Sequence, residues 1–434
     1  MSNLFSSIKL RCALPLLLIA GFGQVATAQS EKSSAIPDNE TSRYIKEYNQ
    51  RAGVNGHAYE FLPIYDTPSP KGYKPFYISH YGRHGSRSTG AKEYFRIKGI
   101  LEPAHADGQL TPQGEMLLAA TLKAIECQAG MSGHLTPRGR REHAAIAERM
   151  YNRYPVVFKD GSKKIFAASS YIPRCLISMN SFTNRLMSLQ PDLQIDLETG
   201  ENYMDYIGRG EPDEVQELAE PILDSLDRMV SLDSMAIIPV LFKDPANARK
   251  YVKKVARLEY DIFSLARYTQ AFDIEDNLYD LLPANDVYQL SEQRNMHIYL
   301  QQANSLLLGD KRMPNAAPLA KDIIDRANEV IAGEPRVADL RFGHDWPLMA
   351  LMAYLGLEGA SERLGIDEVK GHWFAGRYIP FAGNLQLVFY RNAKNDVLVK
   401  FLVNEKESRI PALTPVQGPY YRWSDYVRLI TERK

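Results

Sequence analysis

A strand that is followed directly by helices is the feature that most constrains the fold of this chain. Residues 75–81 are aromatic and β-branched, as in a buried strand. Helical patterns follow, and proline stands at the first helical position after Thr111 and again after Thr136. A short apolar run at 165–168 and a helix opened by Pro173 continue the alternation. This order predicts an α/β fold with a mainly parallel sheet and helices on both faces.

The middle of the chain has a different pattern. Long helical stretches with few strand-like residues occupy 214–229, 247–272 and 287–308. Strand-like sequence resumes at 337–342, and two later runs, 385–390 and 397–403, have the pattern of a hairpin. At 434 residues the chain also exceeds the usual length of one domain. We therefore predict an α/β domain in two parts, 29–195 and 336–434, with a mostly helical insertion domain at 196–335.

The first 28 residues have the pattern of a secretory signal peptide. Lys9 and Arg11 precede an apolar run at 13–23 that is too short to cross a bilayer, and Ala-Thr-Ala precedes Gln29. We expect an exported protein, periplasmic or extracellular, with no stable membrane insertion after cleavage. A membrane anchor or a buried helix is the alternative. After cleavage Cys127 and Cys175 would remain, and they could form one disulfide or stay free.

Charge and motif content exclude several classes of partner. Lys and Arg together number 52, as do Asp and Glu, so the formal net charge is zero. Such a balance gives no long-range field for nucleic acid, and we predict no nucleic-acid partner. The sequence contains no CxxC, no HExxH and no Cys/His spacing typical of zinc, so we predict neither a metal nor another cofactor.

The densest group of reactive side chains follows the first predicted strand. The loop has the sequence GRHGSR at 82–87, and in an open α/β sheet ligands bind outside the carboxyl ends of the strands. The guanidinium groups of Arg83 and Arg87 match phosphate oxygens, while the imidazole of His84 is a nucleophile near neutral pH. This pattern favours attack on a phosphorus atom whose oxygens are held. A solvated basic turn is the alternative.

A nucleotide-binding P-loop is another interpretation of this segment. Gly85 and Gly90 have the spacing of its two glycines, but Ala91 stands where the motif requires lysine, and Lys92 comes one place late. The phosphate and magnesium geometry of a P-loop is therefore not expected.

Two further segments supply candidate site residues. Arg174 lies in the first turn of the helix opened by Pro173, where the helix dipole disfavours a cation by a few tenths to ~1 kcal/mol. An anion bound at the same helix end would explain why an arginine stands there. His344 and Asp345 follow the strand-like run at 337–342. The alternatives are an exposed arginine and an aspartate that merely caps the next helix.

Together these residues resemble the histidine acid phosphatases, a branch of the histidine phosphatase superfamily. That family has an R-H-G-x-R motif after its first strand and an H-D dipeptide far downstream, as at 83–87 and 344–345 here. Its intervening motifs are matched by Arg174, Ser178 and Phe182 and by a G-x-L-T-P-x-G segment at 133–139. The order and spacing hold over most of the chain.

The resemblance implies a role for each candidate residue. His84 would attack phosphorus and form a phosphohistidine, which water would then hydrolyse, and Asp345 would protonate the leaving oxygen as general acid. The residues that would hold the transferring phosphoryl group are Arg83, Arg87, Arg174 and His344. The expected pH optimum is acid or mildly acid.

The substrate is indicated by weaker similarities. Residues 380–390 and 402–406 resemble the multiple inositol polyphosphate phosphatases, but those enzymes typically have H-A-E at the acid site, whereas His344 and Asp345 are followed by Trp346, as in phytases and general acid phosphatases. Lys92 could bind a further phosphate, or it could belong to a solvated charged face.

We therefore expect a phosphomonoesterase that acts on a small molecule, with inositol polyphosphates such as phytate as its substrates. A broad-specificity acid phosphatase acting on sugar or nucleotide monophosphates is the alternative within the same reaction class. A mutase and a non-catalytic phosphate-binding module are the alternatives from other classes.

Overall fold

An eight-stranded sheet organises the computed structural model, which describes residues 36–90 and 92–432. The strands are β1 (Lys74–Arg83), β2 (Lys164–Ser169), β3 (Gln194–Thr199), β4 (Arg336–Gly343), β5 (Asn384–Arg391), β6 (Val397–Val403), β7 (Lys406–Ser408) and β8 (Tyr421–Arg422). Their order in the sheet is β3-β2-β4-β1-β5-β6-β7, and β8 pairs with β6. The signal peptide expected at 1–28 lies outside the described residues.

The sheet is parallel on one side and antiparallel on the other. Strands β3, β2, β4 and β1 are parallel neighbours, whereas β5 is antiparallel to both β1 and β6, and β7 and β8 are antiparallel to β6. The predicted hairpin is confirmed as β5 and β6, and so short a connection can join only antiparallel strands. The expectation of a mainly parallel sheet is therefore only partly correct.

Helices cover both faces of the sheet, as the sequence predicts. Among the described residues they are α1 (Glu40–Glu47), α2 (Lys92–Ala106), α3 (Pro112–Gln128), α4 (Pro137–Arg153), α5 (Pro155–Lys159), α6 (Pro173–Leu189), α7 (Glu201–Met204), α8 (Asp213–Asp227), α9 (Ile237–Leu241), α10 (Val255–Ala266), α11 (Ala284–Gln302), α12 (Gly309–Arg312), α13 (Ala317–Ala332), α14 (Asp345–Tyr354), α15 (Ile366–Val369) and α16 (Trp423–Thr431). Tyr77 and Tyr81 of β1 belong to one apolar cluster with α11 and α14, while Ile78 belongs to another with α4 and α6.

The helical middle of the chain begins later than predicted. Strand β3 crosses the boundary proposed between 195 and 196, and most of its side chains are exposed at the edge of the sheet, so no apolar alternation marks it in the sequence. Residues 200–335, all of them described, contain helices and no strand. The helix expected at 247–272 is shorter, because a 3₁₀ turn at Asn247–Lys250 precedes α10. A separate insertion domain at 196–335 stays a prediction.

Two similar sequences, GQLTPQG and GHLTPRG, begin α3 and α4. The hydroxyls of Thr111 and Thr136 each accept a hydrogen bond from the backbone N–H three residues later, at 3.1 and 3.3 Å, which confirms both predicted helix starts. Each hydroxyl also donates to a distant carbonyl, from Thr111 to Val240 at 2.5 Å and from Thr136 to Ser86 at 3.0 Å. The second contact ties α4 to the loop at 82–87.

The two threonines form a matched pair of variants. Thr111→Ala and Thr136→Ala should each lower the free energy of unfolding by about 1–2 kcal/mol, because each removes a helix cap. Urea denaturation would measure this loss. Only Thr136→Ala should also weaken the binding of inorganic phosphate in calorimetric titration, because of the two hydroxyls only that of Thr136 contacts the loop at 82–87. Equal phosphate affinity in the two variants would contradict this role of Thr136.

Candidate functional site

The two most distant motifs meet at the carboxyl ends of two paired strands. β1 ends at Arg83 and β4 ends at Gly343, and these two residues are opposite each other in the parallel register. The backbone N–H of His84 then donates to the carbonyl of Gly343 at 2.8 Å. As a result the rings of His84 and His344 lie with their centroids 5.7 Å apart.

The third predicted segment reaches the same place from α6. Nη2 of Arg174 donates to Nδ1 of His344 at 3.3 Å. Four residues later, the hydroxyl of Ser178 accepts a hydrogen bond from the backbone N–H of Gly85 at 3.2 Å, and after four more Phe182 is buried in the core. Residues four apart share a helix face, which explains the spacing of this motif.

Close backbone packing fixes the loop at 82–87. A Cβ on Gly85 would lie 2.6 Å from the carbonyl oxygen of Gly139 in α4, so only glycine fits there without a shift. The buried carboxylate of Glu142, also in α4, accepts from both the backbone N–H and the hydroxyl of Ser86 at 2.7 Å each. The loop is therefore held by the helix that the G-x-L-T-P-x-G segment begins.

His84 is a buried, neutral imidazole. Its Nδ1 lies 2.9 Å from the carbonyl oxygen of Gly85, a contact that places the ring proton on Nδ1 and leaves the lone pair on Nε2. Burial lowers the pKa of His84 well below its ordinary value, and the surrounding positive groups lower it further. Those groups are the guanidinium groups of Arg83, Arg174 and Arg87.

His344 is neutral for similar reasons. Its Nδ1 accepts from Arg174, because a guanidinium can only donate, and its Nε2 then donates to the hydroxyl of Ser170 at 3.1 Å. Burial lowers the pKa of His344, and the charge of Arg174 adds to the effect. The ring stacks on Trp346 with centroids 4.3 Å apart. The ring is therefore held from three sides.

Asp345 is an ionised carboxylate that does not cap its helix. It is the first residue of α14, and its Oδ2 accepts from Nη2 of Arg83 at 3.1 Å and from Nδ2 of Asn55 at 2.7 Å. Burial alone would raise the pKa of Asp345, but the charge of Arg83, the hydrogen bond from Asn55 and the charge of Arg294 lower it below its ordinary value. The capping interpretation is therefore wrong.

Each arginine around the loop keeps a buried donor that has no acceptor among the described residues. Arg83 pairs with Asp345, whereas Arg87 and Arg174 make no ion pair with any carboxylate in the described part of the chain. The buried Nε–H groups of Arg83, Arg87 and Arg174 have no hydrogen-bond acceptor among residues 36–90 and 92–432. Buried donors of this kind are normally paired, and an anion with several oxygens would pair them.

Several site residues were not predicted from the sequence. Nη2 of Arg267 and Nε of Arg294 donate to Oδ1 of Asn55 at 3.2 and 3.4 Å. Tyr268 is surrounded by arginines that lower its pKa, although burial acts in the opposite direction. These residues and Glu142 come from segments far apart in the chain, and no local motif marks them.

Lys92 and the cysteines complete the set of predicted residues. Lys92 is exposed at the first residue of α2 and makes no hydrogen bond or ion pair with the predicted site residues that the structure describes; its substrate role stays a prediction. Cys127 is exposed, Cys175 is buried, and both are free. The thiol of Cys175 donates to the carbonyl of Gly343 at 3.2 Å. The disulfide that the sequence left open is not formed.

Residues 36–90 and 92–432 hold neither a candidate metal site nor a candidate membrane span. In these ranges no group of three or more His, Cys, Asp or Glu side chains is placed to hold a metal ion. None of the helices in the same ranges combines the length and the apolar character needed to span a bilayer.

Comparison with known proteins assigns a family. Residues 82–404 match the model of the histidine phosphatase superfamily, branch 2. The chain is 24% identical over 303 residues to multiple inositol polyphosphate phosphatase 1 of Gallus gallus, in a match that covers 63% of this chain. The chain spans 64% of the length of that relative.

Solved structures share the fold. The multiple inositol polyphosphate phosphatase of Bifidobacterium longum in complex with phosphate gives a TM-score of 0.73 at 18% identity, covering 88% of this chain and 98% of that one. The phytase of D. castellii gives 0.65 at 14% identity, covering 89% and 86%. The family match extends over most of the chain, from the loop at 82–87 to beyond the H-D dipeptide, and the chain therefore belongs to the histidine phosphatase superfamily, branch 2.

Proposed function

We propose that this chain is a phosphomonoesterase that transfers a phosphoryl group first to His84 and then to water. The observation that carries the proposal is a neutral imidazole beside three guanidinium groups. Among the described residues, Nε2 of that imidazole has no hydrogen-bond partner, and neither do the buried Nε–H donors of the three arginines. Membership of the histidine phosphatase superfamily supports the reaction class.

In the first step Nε2 of His84 attacks phosphorus, and the N–P bond forms as the bond to the leaving oxygen breaks. The lowered pKa of His84 keeps this lone pair available in acid solution. The guanidinium groups of Arg83, Arg87 and Arg174 stabilise the charge on the phosphoryl oxygens, which is the main catalytic device in phosphoryl transfer.

Asp345 supplies the proton for the leaving oxygen. In the ligand-free protein Arg83 and Asn55 hold it as a carboxylate. A bound phosphate dianion is a like charge beside it and competes for Arg83, and both effects raise the pKa of Asp345. Asp345 therefore binds a proton with the substrate and gives it to the leaving oxygen. As a carboxylate again, it accepts a proton from the water that hydrolyses the phosphohistidine.

Positive charge beyond the transferring group favours a substrate with several phosphates. Arg267 and Arg294 make no ion pair with a carboxylate in the described ranges, and they line one cavity together with Tyr260, Asp227 and His297. We therefore propose inositol polyphosphates as the substrates. The names of the Gallus gallus and Bifidobacterium longum relatives agree with this class.

We also propose that the protein is exported to the periplasm or out of the cell. The sequence at 1–28, which has the pattern of a signal peptide, supports this proposal.

The mechanism makes His84 essential and requires no metal. With EDTA present, the wild-type protein should release phosphate from p-nitrophenyl phosphate at acid pH. His84→Ala should lower that rate by about a thousandfold or more, because the nucleophile is lost. Retained activity in the variant would refute the phosphohistidine step. Loss of wild-type activity that added metal restores would refute the metal-free mechanism.

The pH dependence follows from the two pKa shifts. His84 stays neutral to a lower pH than an ordinary histidine, because its pKa is lowered, whereas Asp345 must be protonated in the substrate complex. The rate of phosphate release should therefore be higher at pH 5 than at pH 8, by about tenfold or more. Asp345→Asn cannot ionise, so its lower rate with p-nitrophenyl phosphate should not fall between these pH values. A rate that rises with pH in the wild-type protein would contradict this assignment.

Substrate preference can be tested on two alkyl esters. The value of kcat/KM for phytate should exceed that for glycerol 2-phosphate by about tenfold or more, because each additional phosphate can form charge-assisted hydrogen bonds with the extra arginines. Both substrates have an alkoxide leaving group, so the comparison isolates the additional phosphates. Equal or poorer turnover of phytate would favour a broad-specificity acid phosphatase.

A further inference from the structure

A buried asparagine, Asn55, lies between Asp345 and two arginines. Its Nδ2 donates to Oδ2 of Asp345 at 2.7 Å, and its Oδ1 accepts from Arg267 at 3.2 Å and from Arg294 at 3.4 Å. A guanidinium only donates, so the amide oxygen faces the arginines and the amide N–H faces the carboxylate. Turning the amide over would set its N–H groups against two other donors. The amide therefore has one orientation.

The backbone around Asn55 holds the same arrangement. Val54 has φ 58° and ψ −110°, in the half of conformational space that β-branched residues avoid. The carbonyl before it, of Gly53, accepts from Nε of Arg267 at 3.2 Å, and the carbonyl after it, of Asn55, accepts from Nη1 of Arg83 at 2.5 Å. Such strain persists where the surroundings fix the backbone, and it concentrates at functional sites.

We propose that Asn55 is a positioning residue that makes Oδ1 of Asp345 the oxygen that carries and transfers the proton. Oδ2 already receives two donors, Nδ2 of Asn55 and Nη2 of Arg83. A hydrogen on Oδ2 would point at these N–H groups. Oδ1 accepts no hydrogen bond from the side chains and backbone that the structure describes, so it is the oxygen open to the leaving group.

The proton transfer then balances as follows. The Oδ1–H bond of Asp345 breaks as the bond between phosphorus and the leaving oxygen breaks, and the proton passes to that oxygen. The electron pair of the O–H bond stays on the carboxylate, whose negative charge is stabilised at Oδ2 by Asn55 and Arg83. The inference rests on the proposed function, because it assigns an atom to the proton transfer proposed for Asp345.

A positioning role and a purely structural role predict different substrate dependence. p-Nitrophenolate leaves without full protonation, whereas the alkoxide of glycerol 2-phosphate requires a proton in the transition state. Misplacing the proton donor should therefore slow the alkyl ester most. A loss of folded protein would reduce both rates equally.

The experiment compares Asn55→Ala and Asn55→Asp with Asn304→Ala in the full chain. Asn55→Asp keeps the size and the acceptor that faces the arginines but lacks the N–H donor, so it remains informative if Asn55→Ala folds poorly. Asn304 is a half-buried control, whose amide donates to the carbonyl of Ser361 at 3.1 Å outside the site.

Both Asn55 variants should lower kcat for glycerol 2-phosphate by about ten- to a hundredfold, as expected for a lost hydrogen bond to a charged group. The loss of kcat for p-nitrophenyl phosphate should be at least about fivefold smaller, and Asn304→Ala should leave the ratio of the two rates unchanged. In an Asp345→Asn background, Asn55→Ala should add less than about a twofold further loss, because the group it positions is gone.

Equal losses on the two substrates, or a change in KM alone, would overturn the role of Asn55. So would a full additional loss in the Asp345→Asn background. If the wild-type protein hydrolyses neither substrate, the proposed function itself fails, which is a different result from an active enzyme that is indifferent to Asn55.

Discussion

The parallel pairing of β1 with β4 is the constraint on which the rest of the site depends. Because Arg83 and Gly343 are opposite each other, the loops that follow the two strands begin at the same level of the sheet. The bond from the N–H of His84 to Gly343 then locks one loop to the other. Two further contacts join the same junction. Arg174 of α6 donates to His344, and Gly139 of α4 packs closely on Gly85. A shift in this register would separate His84 from His344.

The electrostatics of the site show why a chain of zero net charge can still suit a strongly charged anion. Within the site, arginines outnumber the one carboxylate, Asp345, that pairs with them directly. Burying cations is costly unless they are paired. Burial and the nearby arginine charges also lower the pKa values of His84 and His344, so both rings are neutral. The same arginines would pair with an anion under the proposed function, and their charge opposes protonation of His84. Long-range attraction plays little part, because charge elsewhere cancels it.

Local patterns predicted those parts that are set locally. Neighbouring residues determine strand β1, the two helices that begin with proline, and the hairpin of β5 and β6. The four-residue spacing from Arg174 to Phe182 was also recognisable, because these residues share one face of α6. The rest depends on distant pairing. Strand β3 is exposed at an edge and so carries no apolar alternation, and the antiparallel partner of β1 follows from the sheet order. Asn55, Arg267 and Arg294 meet only after folding.

The contact between Gly85 and Gly139 has a consequence for how proteins of this design can diverge. No side chain fits between these two backbones, so a side chain at residue 85 of the loop requires α4 to move. Arg267 and Arg294 come instead from the helical middle, where Arg267 directly follows α10 and Arg294 lies within α11. Under the proposed function, the nucleophile and the arginines that would select the substrate therefore lie in different parts of the chain. If the proposal holds, substitutions in the helical middle can alter substrate choice while the packing of the loop at 82–87 on α4 stays the same.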